Sequence, residues 1–342
     1  MPRAFITGLS GPTITPDERR FLRTAQPWGL ILFARNVVDP HQVGALIEDF
    51  RLECGRSEAP VLIDQEGGRV QRLSPPQWPA YPAGAIYGAL YRRSPTLGVT
   101  AARLGACLIA ADLAALGITV DCLPLADVPV AGADRVIGDR AYGDTPSQVA
   151  AIANAFAEGL TAGGVLPVLK HLPGHGRATA DSHEQLPVVT ADRDTLISTD
   201  FAAFMPLAHL PLGMTAHVVF TAIDPELPAT TSSTIITDVI RRLIGFSGVL
   251  MSDDLSMGAL SGSLGERTRR SLAAGCDVAL HCNGKFAEMQ EVAANCPELD
   301  GEALARTERA IAARKAPHDI DLVEARLRFA ELIADAGTGI RS

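Results

Sequence analysis

Between residues 170 and 183 the chain sets Lys170, His171, His175, Asp181 and His183. An apolar run, Val165 to Leu169, leads into them, and Pro173, Gly174 and Gly176 shape the loop between. Such a group is costly to bury without partners, and it reads as one wall of an active site. Asp181 and His183 lie two residues apart, a spacing that puts both side chains on one side of an extended segment. A carboxylate there can fix the imidazole tautomer and raise its basicity, giving a general acid/base near neutral pH. The competing reading is a loop pair that only ties down its own backbone. His175, flanked by glycines, is expected to shape the loop.

Other polar residues gather where apolar runs stop. Asp64 opens DQEGGRVQR, and Asp127, His217, Asp253-Asp254 and His281-Cys282-Asn283 end four further runs. A carboxylate at Asp253 could serve as nucleophile, base or metal ligand. One of the Asp253/Asp254 pair could instead cap a following helix, and the residues alone do not choose between them. Asp64 and Arg72 bracket Glu66-Gly67-Gly68, where the glycines allow a tight turn. A carboxylate and a guanidinium facing a pocket suit a polyhydroxylated ligand, because together they accept from and donate to neighbouring hydroxyls. Arg140, in VIGDR, reads the same way. For each of these the alternative is a structural ion pair.

The elements that must position these groups are short strands alternating with longer helical segments. The pattern predicts strands at Ala4–Thr7, Gly29–Phe33, Val61–Asp64, Thr119–Cys122, Val165–Lys170, Gly213–Ala216, Val249–Ser252 and Val278–His281. Helices are predicted at Pro40–Cys54, Thr96–Leu116, Pro146–Gly159, Asp192–Phe204, Ser233–Ile244 and Arg267–Ala274. Thr145-Pro146 has a helix-start signature, and Gly117 a C-cap signature. Strand–helix alternation implies parallel βαβ units. Eight of them fit an α/β fold of the (β/α)₈ TIM-barrel type, whose catalytic groups gather where the strands end. A single catalytic domain over 1–342 is expected, with a helical tail from about 300. The surplus length goes to a Pro-rich connection, Ser74–Pro95, and to a tail helix at Leu322–Ala336. No GxGxxG follows the first strand, which weakens a doubly wound sheet.

At 342 residues, with 47% hydrophobic and 20% charged residues, the chain can bury a large core. Its net charge of -9 argues against nucleic acid or an anionic membrane as partner, since phosphate binding needs clustered Lys/Arg. The tightest basic run, Arg267, Arg269 and Arg270, reads as a solvated helix face. Six cysteines without a CxxC suggest a reducing compartment. The MPRAFITG start has no signal-peptide core, and no uninterrupted apolar stretch reaches bilayer length. The expectation is a cytoplasmic, monomeric enzyme for a small-molecule substrate, with no cofactor or metal.

The motifs resemble glycoside hydrolase family 3, in particular its single-domain bacterial β-N-acetylhexosaminidases. KHLPGHG at 170–176 differs from the family's KHFPGHG by Leu172 for Phe, apolar for apolar. ADSH at 180–183 resembles the acid/base loop. IDQEGGRVQR, IGDRAYG, MTAHVVF and MSDDLSM follow the family order, so the resemblance runs from about residue 5 to 285. It implies a barrel and a retaining mechanism, in which one group attacks the anomeric carbon and another protonates the leaving oxygen. Carried over by position, Asp253 is the nucleophile, His183 the acid/base and Asp181 its partner. Asp64, Arg72, Arg140, Lys170 and His171 match sugar-binding positions. The implied substrate is a terminal, non-reducing β-linked N-acetylglucosamine, from muropeptides containing N-acetylglucosaminyl-1,6-anhydro-N-acetylmuramic acid in peptidoglycan recycling.

Four alternatives differ in chemistry. A zinc amidohydrolase could use His171, His175, His183, His217 and Asp253, but there is no HxH on the first strand and Lys170 would sit beside the ion. Substrate-assisted chemistry needs an acidic pair at a strand end, and the only Asp-Glu pair, Asp17-Glu18, lies in an early helix. A phosphorylase would replace water by phosphate. A non-catalytic sugar-binding module would have no need of Asp181, His183 and Asp253 together.

Overall fold

The computed structural model describes residues 1–337. Eight parallel strands close into a barrel: β1 (Arg3–Thr7), β2 (Pro27–Leu32), β3 (Val61–Ile63), β4 (Val120–Asp121), β5 (Leu166–Leu172), β6 (Leu212–Thr215), β7 (Val249–Asp254) and β8 (Val278–His281). Each strand pairs with its sequence neighbour, and β1 closes on β8 with Thr7 opposite His281. All eight predicted strands are present, with ends displaced by a few residues.

Alternation along the strands sorts the side chains. Ala4, Ile6, Leu62, Val249, Met251, Val278 and Leu280 fill the barrel interior, while Phe5, Val61, Ile63, Leu250 and Ala279 face the helical layer. Burying such side chains stabilises the fold by roughly 1.5–3 kcal/mol each. The interior ends near the mouth in Ile31, Met214 and Leu280, which become part of a pocket wall. At the other end Leu299, Leu304 and Ala310 pack into the same interior cluster, and Arg306 donates to Asp277 at 2.9 Å. The helix Gly301–Ala312 therefore plugs the end at which the strands begin.

Local chemistry sets the helix ends. Asp39 caps Pro40–Cys54, which stops at Gly55 in the left-handed region. Thr15 and Glu18 form a capping box, as do Ser263 and Glu266. Thr145 precedes a helix starting at Pro146, yet its side chain makes no capping bond.

Several expectations need correction. The helix expected over Asp192–Phe204 stops at Ser198. Thr199 and Asp200 turn there to accept hydrogen bonds from Arg177, at 3.0 and 2.9 Å. The segment expected as an α-helix at Ser233–Ile244 is a wide π-helix over Ile235–Leu243, with Ile244 N–H reaching the Val239 carbonyl. The Ser74–Pro95 connection contains the helix Gly84–Arg93. Arg267 is not on a solvated face: it donates to the carbonyls of Leu255, Met257 and Gly262. Arg269 and Arg270 are exposed.

The helix Pro95–Ala114 is long and apolar enough to cross a bilayer by length and composition. Here it packs in the protein body, with Arg103 paired to Glu158 and Asp112 bound by Arg326 at 2.6 Å. The tail helix, Leu322–Gly337, lies against it and against Gly84–Arg93. All six cysteines are free, and five are buried.

Candidate active site

Asp64, Arg72, Arg140, Lys170, His171, Asp181, His183 and Asp253 all line one cavity of about 310 Å³ at the mouth of the barrel. They reach it from different strand ends, so residues up to 189 positions apart in sequence become neighbours.

One wall is a row of alternating charges. Arg72 Nη2 donates to Asp64 Oδ2 at 2.9 Å, and Lys170 Nζ lies 3.2 Å from Asp64 Oδ1 and 2.6 Å from Glu66 Oε1. Arg140 then grips Glu66 through both Nε and Nη2, each at 2.8 Å. This bidentate fork fixes orientation as well as charge. Burial opposes the ionisation of Asp64 and Glu66, but the adjacent cations prevail. The carboxyl of Asp64 is held well below its ordinary range by Lys170 and Arg72. That of Glu66 is brought down to about 2 by Arg140 and Lys170. Burial alone would lower Lys170, yet Glu66 and Asp64 hold its ammonium above its ordinary value. The row is thus a rigid set of charged donors and acceptors lining the cavity.

The local backbone explains its placement. Gly67 and Gly68 have φ of +92° and +58°, and a Cβ on Gly67 would stand 2.5 Å from the Pro82 carbonyl. The hairpin they allow, Gln65–Gly67 against Val70–Gln71, brings Arg72 back beside Asp64. Gln65 points the other way and is buried. Its side chain accepts from the backbone N–H groups of Arg72 and Leu73, and its own N–H donates to Asp121.

Glu66 and Gln65 were not among the sequence candidates. A signal for Glu66 existed, because Asp64 and Glu66 are two residues apart on extended chain and therefore share a side. Gln65 gave none, since a lone glutamine carries no distinctive chemistry.

Glu66 also gives a pH test. A carboxylate whose folded pKa is depressed contributes stability that is complete above its unfolded value and lost as pH falls towards the folded one. For Glu66 that window runs from 4.5 down to about 2. Glu66→Gln should therefore be less stable than wild type at pH 7, with the gap narrowing below about pH 4.5. Thermal melts at pH 7 and 3.5 measure it, and a constant gap contradicts the account.

His171, His175 and His183 line the same cavity. His171 Nδ1 is 2.7 Å from Asp127 Oδ2, and Asp127 Oδ1 accepts the backbone N–H of His175 at 2.6 Å. Asp127 is buried, which opposes its charge, but His171 and the nearby donors hold its carboxyl below the ordinary range. His175 does more than shape the loop. Its Nε2 lies 3.0 Å from Ser182 Oγ, and its ring packs edge-on against His171. Burial, then the neighbouring His171, push it down to about 4, so it is neutral near pH 7.

Asp181 and His183 form a close pair, with Asp181 Oδ1 2.7 Å from His183 Nδ1 and accepting the His183 backbone N–H at 2.9 Å. The contact is made in a turn, not in the extended segment expected from spacing. One carboxylate oxygen thus both ties down the backbone and contacts the ring. With Nδ1 donating to Asp181, Nε2 is the nitrogen left to exchange a proton.

Asp253 and Asp254 differ in what their side chains contact. Asp254 is tied to the backbone N–H groups of Ser256 and Cys282 and to the Ser256 hydroxyl. Asp253 accepts the Asp254 N–H at 2.8 Å and lines the cavity. Burial opposes its charge, but His217, His171 and that N–H hold it ionised below the ordinary range. His217 is fully buried, with Nδ1 2.7 Å from Thr230 Oγ1 and Nε2 3.0 Å from the Asp254 carbonyl. Those two contacts occupy both ring nitrogens. His217 thus has no ring nitrogen left for the zinc arrangement considered above. Among the described residues no group of three or more His, Cys, Asp or Glu is placed to hold a metal ion. His281 lies outside the cavity lining and contacts Glu288.

The closed barrel with a charged cavity at its mouth defines a protein of the (β/α)₈ class. Residues 6–313 match the glycosyl hydrolase family 3 N terminal domain. A β-hexosaminidase of Alkalilimnicola ehrlichii is 39% identical over 280 residues, covering 81% of this chain and 79% of the relative. One of Aromatoleum aromaticum is 35% identical over 305 residues, covering 88% and 85%. Among solved structures, NagZ from Neisseria gonorrhoeae in complex with N-trifluoroacetyl-D-glucosamine superposes with a TM-score of 0.85, at 31% identity over 98% of both chains. The chain belongs to glycoside hydrolase family 3 and is a β-N-acetylhexosaminidase of the single-domain type that NagZ represents.

Proposed function

We propose that this enzyme removes terminal, non-reducing N-acetylglucosamine from muropeptides in peptidoglycan recycling, and does so by retaining double displacement. The observation that carries the reading is one cavity holding an ionised, otherwise uncommitted Asp253 and the paired His183–Asp181. In the first step Asp253 attacks the anomeric carbon while His183 gives the Nε2 proton to the departing oxygen. Asp181 holds the imidazole through Nδ1, fixing its orientation and tautomer. In the second step His183 takes a proton from water, which attacks the glycosyl-enzyme and frees Asp253. Using imidazole in place of a second carboxylate spares the nucleophile direct anionic repulsion. The row Arg72–Asp64–Lys170–Glu66–Arg140, with His171, holds the sugar.

The natural substrate in this reading is N-acetylglucosaminyl-1,6-anhydro-N-acetylmuramic acid with its peptides, met in the cytoplasm by a monomeric enzyme. The NagZ neighbour was solved with a glucosamine derivative, and six free thiols suit a reducing compartment. The test is hydrolysis of that anhydro-disaccharide beside a chromogenic β-N-acetylglucosaminide and the matching β-glucoside. Turnover of the first two with little of the third is expected. Failure on the anhydro-disaccharide sinks the recycling substrate, and equal rates on the glucoside sink the acetamido preference.

A further inference from the structure

The ring of His183 is mostly exposed, with its side chain 65% accessible. Side-chain packing therefore does little to place it, and the backbone of its turn must. That turn is docked on the loop that follows β7. Gly258 N–H donates to the His183 carbonyl at 3.0 Å, and Ala259 N–H to the Ser182 carbonyl at 3.1 Å. The fit is close: a Cβ on Gly258 would stand 2.8 Å from the His183 carbonyl oxygen and 2.7 Å from that of Glu184. Gly258 is not in the left-handed region, so alanine there would act by collision and not by backbone strain.

The same loop is gripped from behind. Arg267, on the helix Leu264–Ala274, donates Nη1 to the carbonyls of Leu255 and Met257 and Nε to that of Gly262. A guanidinium fork on three carbonyls is a rigid clamp. At its near end the loop is continuous with Asp253 and pinned by Asp254, which binds Ser256.

We propose that Gly258 and Arg267 are positioning residues that set the acid/base turn against the nucleophile, so that the loop after β7 fixes both catalytic partners at once. The proposal rests on His183 being the acid/base. Proton transfer needs hydrogen-bond reach, and a displacement of about 1 Å can cost roughly a hundredfold. An error in placing His183 lowers kcat/KM only for substrates whose leaving group needs the proton. A mispacked loop that spoils the pocket in general would harm every substrate.

Leaving-group dependence separates these cases. Wild type, Gly258→Ala, Arg267→Gln and His183→Ala are compared on dinitrophenyl, nitrophenyl and phenyl β-N-acetylglucosaminides, with thermal melts alongside. Gly258→Ala should lose roughly tenfold or more in kcat/KM on the phenyl glycoside and stay within about twofold on the dinitrophenyl one. Arg267→Gln should move the same way by less, and it carries the test if Gly258→Ala does not fold. A loss equal on all three leaving groups, or wild-type rates on the phenyl glycoside in both variants, overturns the proposal. If His183→Ala is steep with leaving group and both loop variants are flat, only the docking role fails. If His183→Ala is itself flat, the acid/base assignment falls and takes this proposal with it.

Discussion

Asp253→Ala should lower kcat on every β-N-acetylglucosaminide by at least about four orders of magnitude, as loss of a covalent nucleophile does. The effect should be confined to chemistry. Asp253 sits at the strand end with one hydrogen bond to the next N–H, so its removal breaks little of the fold. Asp254→Ala should behave in the opposite way. That carboxylate holds two backbone N–H groups and a hydroxyl across the β7–β8 junction, and its loss should lower stability while leaving some turnover. Thermal melts and kcat for the two variants, measured side by side, give the comparison. A 2-fluoro sugar should become attached to Asp253, located by peptide mass spectrometry. Label found on another residue, or strong residual activity in Asp253→Ala, would end the assignment.

His183→Ala should cost about 10²–10⁴ in kcat/KM on substrates with poor leaving groups, the range that general acid catalysis supplies. On a dinitrophenyl glycoside the first step needs no proton, so kcat/KM should stay near wild type. Turnover should still fall there, because the glycosyl-enzyme awaits a water that His183 no longer activates. Azide, a nucleophile that needs no base, should restore turnover and yield a β-glycosyl azide. Asp181→Asn should show the same pattern more mildly, since Asp181 only orients and stabilises the imidazole through its 2.7 Å contact. Wild-type rates for His183→Ala on a phenyl glycoside would exclude the role.

Much of the barrel was legible because its strands are short, apolar and separated by helices with plain end signals, such as Asp39-Pro40 and Gly55. The departures share a cause. The helix after Asp192 breaks because Asp200 is needed by Arg177, and Arg267 turns inward because three loop carbonyls need donors. Both are long-range demands that local periodicity does not register.

At the site, the order of residues already shows which chemical types stand near the strand ends: carboxylates, histidines, one lysine and two arginines. It also determined that Asp181 and His183 were close enough to pair, because two residues of chain cannot hold them far apart. Which partner each group meets became visible in the folded barrel. It made Glu66 the bridge between Lys170 and Arg140, and it gave Asp254 to the backbone while leaving Asp253 to the cavity. It also set His217 and Asp127 behind the pocket, where His217 meets the Asp254 carbonyl and Asp127 meets His171 Nδ1. The reason is that a side chain's role is fixed by what it meets. In a barrel the groups that meet come from strands far apart in sequence, brought together only when the sheet closes.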